Sequence, residues 1–247
     1  MCIRDSLGAS TSEAQQAVST ILARQVIDFV ATGAVAGCVN LPPLTAEAAR
    51  EVGPWMPLMS ALGRLAARLV RAPTKLTVTY AGRTDALDTR PLTRLLVCSL
   101  LGAHSGRVTP VNALQEAAAR GLIVAETIGG DGDGFDRLLR VRVEGGDRVR
   151  EIEATLHRGP RVVRFDGVEI EFDPQAHVLL LRNEDRPGMI GTVGSQLGAA
   201  GINIVNFALG TAGDGQARAA ITVDQPLDEA QLAHLRATPG VLSLQQV

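Results

Sequence analysis

The stretch Asn183-Glu184-Asp185-Arg186-Pro187-Gly188-Met189-Ile190-Gly191, with Gly201-Ile202-Asn203-Ile204 after it, decides how this chain is read. The apolar run from His177 to Asn183 predicts a strand ending at the quoted residues. Pro187 fits the first position of a helix, where a missing N–H costs nothing, so a helix is expected over 187–200. Strands follow over 202–209 and 217–223, joined by the turn-rich 211–215, then a helix over 227–236 and a strand over 241–247.

The resulting order is β-α-β-β-α-β, the split β-α-β arrangement of ferredoxin-like domains. Gly188 leaves the backbone uncovered where the first helix is expected to start. Free N–H groups there, with the helix dipole, favour a carboxylate. Asn183 and Asp185 lie two apart as the strand ends, so their side chains are expected to project in the same direction. Asp185 suits an α-ammonium group, and the amides of Asn183 and Asn203 offer hydrogen bonds. Together these meet the needs of a free amino acid. An ordinary strand-to-helix turn accounts for the same residues, since Arg-Pro-Gly is turn chemistry.

Upstream, residues 1–6 (MCIRDS) fit nothing that follows and are set aside as a non-native leader. From Ser10 or Thr11, either able to cap, a helix is expected through Ala17, Ile21, Val26 and Phe29, stopped by Gly33 and Gly37. Asn40-Leu41-Pro42-Pro43 reads as a linker and 45–52 as a short helix. Leu58, Leu62, Leu65 and Leu69 form an i, i+4, i+7, i+11 stripe, with Arg64, Arg68 and Arg71 on the wet side. The alternating β-branched run 75–81 is a strand, and 91–101 and 110–120 are helices opened by prolines. Strands at 122–128, 138–144, 149–157, 162–165 and 168–172, jointed at Gly145-Gly146-Asp147 and Asp166-Gly167, complete a mixed unit ending in an antiparallel meander. The fold class is α+β.

Composition narrows the function. The chain has 24 basic and 26 acidic side chains, a net charge of −2, and only 3% aromatics, so neither a basic field nor a base-stacking platform is available for nucleic acid. Three scattered cysteines, Cys2, Cys38 and Cys98, favour a reducing cytoplasm over a disulfide framework. No apolar run approaches the ~20 residues of a membrane span, and no secretory signal opens the chain. Cytoplasmic placement without membrane or nucleic-acid partners is the expectation.

A strand ending in Asn-Glu-Asp-Arg-Pro-Gly, a Leu/Ala/Gly-rich helix and Gly-Ile-Asn-Ile resemble the ACT domains of phosphoglycerate dehydrogenases. That resemblance implies ACT domains associating side by side in a homo-oligomer, with L-serine between them as a feedback inhibitor. By position it implies effector contacts from Asn183, Asp185 and Asn203, with Arg186, Pro187, Gly188, Met189 and Ile190 forming the loop and helix start and Ile204 beside Asn203. Asn183 departs from the His or Tyr often found there. Residues 41–173, with Pro54-Trp55, resemble the intervening, allosteric-substrate-binding-like domain of the long form of this enzyme. Leu7-Gly8-Ala9-Ser10-Thr11-Ser12-Glu13-Ala14-Gln15 resembles the stretch after the family's catalytic histidine, whose position Ser6 occupies. The division expected is therefore a leader at 1–6, a catalytic-region tail at 7–40, an intervening domain at 41–173 and an ACT domain at 174–247.

The implied parent uses NAD, but no catalytic or cofactor residue is assigned in this chain. No G-x-G-x-x-G follows a strand, and the family's substrate arginine, acid and histidine fall at or before residue 6. The chain alone is expected to be inactive. A free-standing amino-acid sensor acting through a protein partner is the alternative.

Other constellations point to structure instead. Asp131, Asp133 and Asp136 suggest a calcium loop, but Arg142 stands at the twelfth position, where a bidentate Glu belongs. His104, His157, His177 and His234 lack metal-ligand spacing, and Ser99, Ser105 and Ser195 lack a nucleophile elbow. In the Arg158/Arg161/Arg164 cluster, Arg161 falls near a basic position at which some long-form relatives hold an anion between intervening and ACT domains. Asp173 and Thr222 stand where further basic residues would be expected, and a solvated strand face competes with an anion site.

Overall fold

The computed structural model describes residues 11–32, 44–84, 87–103, 107–211, 213 and 215–247. The expected leader, the Gly33/Gly37 helix stop and the Asn40–Pro43 linker lie outside them, as do Cys2, Cys38, His104 and Ser105. The described residues up to Gly53 form one compact unit and those from Pro54 onward another. In the first, helix α1 (Ser12–Thr32) is opened by Thr11, whose Oγ1 accepts the Ala14 N–H at 3.2 Å. Its Val18, Ile21, Leu22, Val26, Phe29 and Val30 are all exposed. Helix α2 (Ala46–Val52) is capped in the same way by Thr45.

In the second unit, helix α3 (Met56–Leu69) buries the predicted leucine stripe and leaves Arg64 and Arg68 in solvent. It lies hard against α4 (Arg90–Gly102). At Gly63 a Cβ would come within 2.5 Å of the Leu96 carbonyl oxygen, so only glycine permits this helix crossing. Both helices cover one face of a six-stranded sheet. Its strands are β1 (Lys75–Gly82), β2 (Ile123–Ile128), β3 (Arg137–Gly145), β4 (Arg148–Leu156), β5 (Pro160–Phe165) and β6 (Val168–Phe172), in the order β2-β1-β3-β4-β5-β6. β1 and β2 run parallel, as their helical crossover requires, and β3 to β6 form the predicted meander. Burial alternates along β1 and β3: Leu76, Val78, Tyr80, Leu139, Val141 and Val143 are inside, while Thr77, Arg140, Arg142 and Glu144 reach the other face.

Helix α5 (Ala113–Ala119) begins three residues later than Pro110 suggested. Asn112 Oδ1 accepts the Thr109 N–H at 2.7 Å and its hydroxyl at 3.0 Å, and that local turn competes with the helix for 109–112.

The last block has the predicted order: β7 (His177–Glu184), α6 (Met189–Ala199), β8 (Ile204–Thr211), β9 (Gln216–Val223), α7 (Glu229–Arg236) and β10 (Val241–Gln246). The sheet order is β10-β7-β9-β8, every neighbouring pair antiparallel. Leu179, Leu181, Ile221 and Leu244 form one core with Val193 and Leu197 of α6 and Leu232 and Leu235 of α7. The opposite face is buried too: Val178, Leu180, Ala220 and Thr222 are inside, and β6 packs over β8 and β9. A Cβ at Gly210 would run into Val168 Cγ1 and come within 2.7 Å of the Glu169 carbonyl oxygen.

Candidate effector site

The β7–α6 loop departs from the sequence expectation at its centre. Gly188 is the N-cap of α6 with φ of +92°, a left-handed conformation that glycine adopts without strain. The helix begins at Met189, so Pro187 lies two residues before it and stiffens the loop instead of occupying the first helical position. With no side chain at Gly188, no side-chain cap bond is made, and the leading N–H groups of a helix have no intrahelical acceptors. The Gly188 carbonyl is engaged, accepting the Thr192 N–H at 2.9 Å and its hydroxyl at 3.0 Å.

Asn183 and Asp185 do not share an environment. β7 ends at Glu184, so strand parity does not carry to Asp185. Asn183 is 4% exposed, and its Nδ2 donates to the Glu184 carbonyl at 2.7 Å. Asp185 is exposed, and its N–H donates to the Gly215 carbonyl at 3.0 Å, leaving the carboxylate toward solvent. Arg186 is committed elsewhere: Nη2 donates to the Pro239 carbonyl at 2.8 Å and Nε lies 3.2 Å from the Glu184 carboxylate. It thereby ties the loop to the turn before β10. Met189 is buried, whereas Ile190 is half-exposed.

Asn203 is exposed and held by Asp224, which accepts its N–H at 3.0 Å and donates an N–H back to its carbonyl at 3.1 Å. Asp224 was not legible as a partner of Asn203, because strand register is not visible without the fold. Ile204, the next residue, is partly buried against the core.

The decisive geometry is how these residues are spread. Glu184 pairs with Gln216 and Ile204 with Val223, so Asp185 and Asn203 sit beyond opposite ends of β9. At ~3.3 Å per residue the two groups are on the order of 23 Å apart within one chain. No free amino acid bridges that span. Among the described residues β8 is at the sheet edge, hydrogen-bonded to β9 alone, with Val205 63% and Leu209 44% exposed.

Arg161 is surrounded by acceptors: Glu171 at 3.5 Å, Asp173 at 3.3 Å and the Pro160 carbonyl at 2.9 Å. Arg164 meets Asp133, Glu153 and Glu169, and its hydrogen bond with Asp133 raises the guanidinium pKa further. This is a face of paired charges. Asp133 is thus engaged by Arg164, and Asp136 lies 3.5 Å from Arg83, so the aspartate-rich loop serves arginines. Cys98 is half-buried, and burial pushes its thiol pKa up. No helix among the described residues is long and apolar enough to cross a membrane.

Comparison with known proteins places both halves of the second unit. The D-3-phosphoglycerate dehydrogenase intervening domain matches residues 51–166, and the ACT domain matches residues 177–241. D-3-phosphoglycerate dehydrogenase of Bacillus subtilis is 29% identical over 98% of this chain and 47% of its own length. The Archaeoglobus fulgidus enzyme of that name is 28% identical over 96% of this chain and 46% of its own. That of Synechocystis is 31% identical over 95% and 44%. The chain therefore spans about half the length of the curated relatives it matches. By its two domains, an intervening domain of the D-3-phosphoglycerate dehydrogenase kind joined to an ACT domain, it belongs with the regulatory part of that enzyme family.

Proposed function

We propose that this chain is the regulatory portion of a D-3-phosphoglycerate dehydrogenase, which oxidises 3-phosphoglycerate with NAD at the entry to L-serine synthesis in the cytoplasm. Its ACT domain binds L-serine, or another small amino acid, between two copies of the chain for feedback inhibition. NAD and substrate belong to the catalytic part of such an enzyme. The exposed apolar side chains of α1 suit a tail that packs on that part.

The observation that carries the reading is the separation of Asp185 from Asn203 by the length of the sheet. A two-fold pairing of β8 edges runs the strands in opposite directions. It brings Asn203 of a second copy to the Thr211 end of β8, the end at which the Asp185 loop lies against Gly215. One seam then offers a carboxylate for the ammonium group, open N–H groups at the start of α6 for the carboxylate, and an amide from the second copy. Pairing also satisfies an otherwise open edge. Asn183 supports the loop from beneath and makes no ligand contact in this account. Effector bound at the seam favours one subunit arrangement, and through it one state of the distant catalytic part.

Calorimetry with L-serine on the 247-residue chain tests this. Heat is expected with the native chain and is lost in both Asp185→Ala and Asn203→Ala. Unchanged binding in either variant places the ligand elsewhere and defeats the shared seam.

A further inference from the structure

A second surface owes nothing to the effector loop. Among the described residues four strands stand at sheet edges: β2 and β6 in one sheet, β10 and β8 in the other. An open edge carries unpaired backbone N–H and C=O groups, and proteins blunt such edges with charge, kinks or covering segments. β6 packs on the ACT sheet and carries Glu169 and Glu171. β10 is kinked by a register break between Val241 and Ser243, and the Gln246 side chain turns back to accept the Leu227 N–H at 2.7 Å. β8 is the edge that the effector reading already pairs.

β2 remains, and none of these devices blunts it. Ile123-Val124-Ala125-Glu126-Thr127-Ile128 has no proline and no lysine, and it follows β1 in unbroken register. Its end residues Ile123 and Ile128 are 64% and 57% exposed, the same apolar display that Val205 and Leu209 give β8. Its one charge is drawn back from the edge: the Glu126 carboxylate accepts the hydroxyls of Thr89 and Thr93 at the start of α4.

The charges flanking the strand identify its occupant. Arg120 precedes β2 and Asp131 follows it. Asp131 stays near the line of the strand, because the Gly130 carbonyl still accepts the Gly82 N–H at 3.1 Å beside β1. The Asp131 carboxylate accepts the Asp133 N–H at 3.1 Å and has no ion pair among the described residues. Arg120 meets Glu116 at 3.1 Å, a half-exposed pair of little worth. A strand that is basic at its start and acidic at its end complements a second copy of itself run antiparallel. We infer that β2 is an interface between two copies of this chain, joining their six-stranded sheets edge to edge about a two-fold axis at Ala125. In that register Ile123 lies across from Thr127 of the second copy and Glu126 across from its Val124, while Arg120 reaches its Asp131 loop. An axis at Glu126 would instead set two carboxylates against each other. The β2 contact stands alone; only its combination with β8 pairing rests on the effector reading, and with both edges in use the smallest closed assembly is a tetramer.

The test is the mass of the full chain in solution, by light scattering across a concentration series. A tetramer is expected. Ile123→Lys combined with Thr127→Lys changes two exposed side chains, so the fold is kept, and it sets lysine against lysine on both sides of the axis. The dissociation constant at this edge should rise at least about tenfold, leaving a dimer that still binds L-serine. Arg120→Glu should weaken the same contact by about threefold, and Asp131→Lys added to it should restore the affinity, a recovery that misfolding cannot imitate. A native dimer that falls to monomer in the lysine variant supports the β2 contact and removes β8 from the assembly. A mass that the lysine pair leaves unchanged overturns the β2 assignment while leaving the effector seam standing, and a native chain that is monomeric throughout overturns both.

Discussion

The two sheets of the second unit solve the burial problem differently. The six-stranded sheet is helix-covered on one face and charged on the other, where Arg140, Arg164 and Glu153 interlock. The four-stranded ACT sheet is buried on both faces along β7 and β9, by α6 and α7 on one side and by β6 on the other. A strand with one wet face must alternate, and a strand with two dry faces must not. The first tolerates charge on every second residue. The second tolerates it almost nowhere.

Three tests break or sharpen that contrast. The largest effect is expected from Ala220→Asp, at a fully buried position on the non-helical face of the ACT sheet. A carboxylate there has no partner, and a loss of at least about 4 kcal/mol is expected in urea unfolding, against about 0.5 kcal/mol or less for Arg142→Ala on the wet face. Equal losses would abolish the distinction. Next is Tyr80→Phe. The Tyr80 hydroxyl is buried and 2.9 Å from Thr93 Oγ1, and burial raises its pKa well above the ordinary tyrosine range. Thr93 keeps its bond to Glu126, so the loss is about 1 kcal/mol, read as a shift in the urea midpoint with unchanged slope.

The smallest effect belongs to Asp88, on the polar rim before α4. The Arg90 guanidinium, bonded to it at 2.7 and 2.8 Å, lowers its carboxyl pKa. A depressed carboxylate contributes stability above its unfolded pKa and loses it as pH falls through the folded value. Asp88→Asn should therefore unfold slightly more easily than the native chain at neutral pH. That gap should close in acid melts below the ordinary aspartate range; a gap that widened there would reverse the assigned sign.

Much of this was legible because local patterns and tertiary demands agree. Lys75-Leu76-Thr77-Val78-Thr79-Tyr80-Ala81 alternates because one face is wet, and the leucines of α3 recur at helical spacing because one side meets the sheet. Gly146 and Gly167, with φ of +57° and +78°, stand at the hairpin joints where turn chemistry placed them. What escaped depended on the third dimension. Pro187 read as a helix opener because nothing in one dimension reveals the left-handed Gly188 after it. Asn183 and Asp185, two apart, looked like neighbours on one face, yet the strand stops between them. β2 read as one strand among several, and only the order of the sheet reveals that it stands at an edge.

The placement of Asp185 and Asn203 at opposite ends of one sheet has a genetic corollary on the seam reading. Each chain contributes unlike halves to two equivalent seats. A population carrying only the lesion Asp185→Ala, or only Asn203→Ala, has no whole seat anywhere. When the two defective chains are co-expressed and pair at random, a mixed dimer places both lesions in the same seat and leaves the other intact. Two alleles that are each deaf to the amino acid would then complement when carried together in one cell.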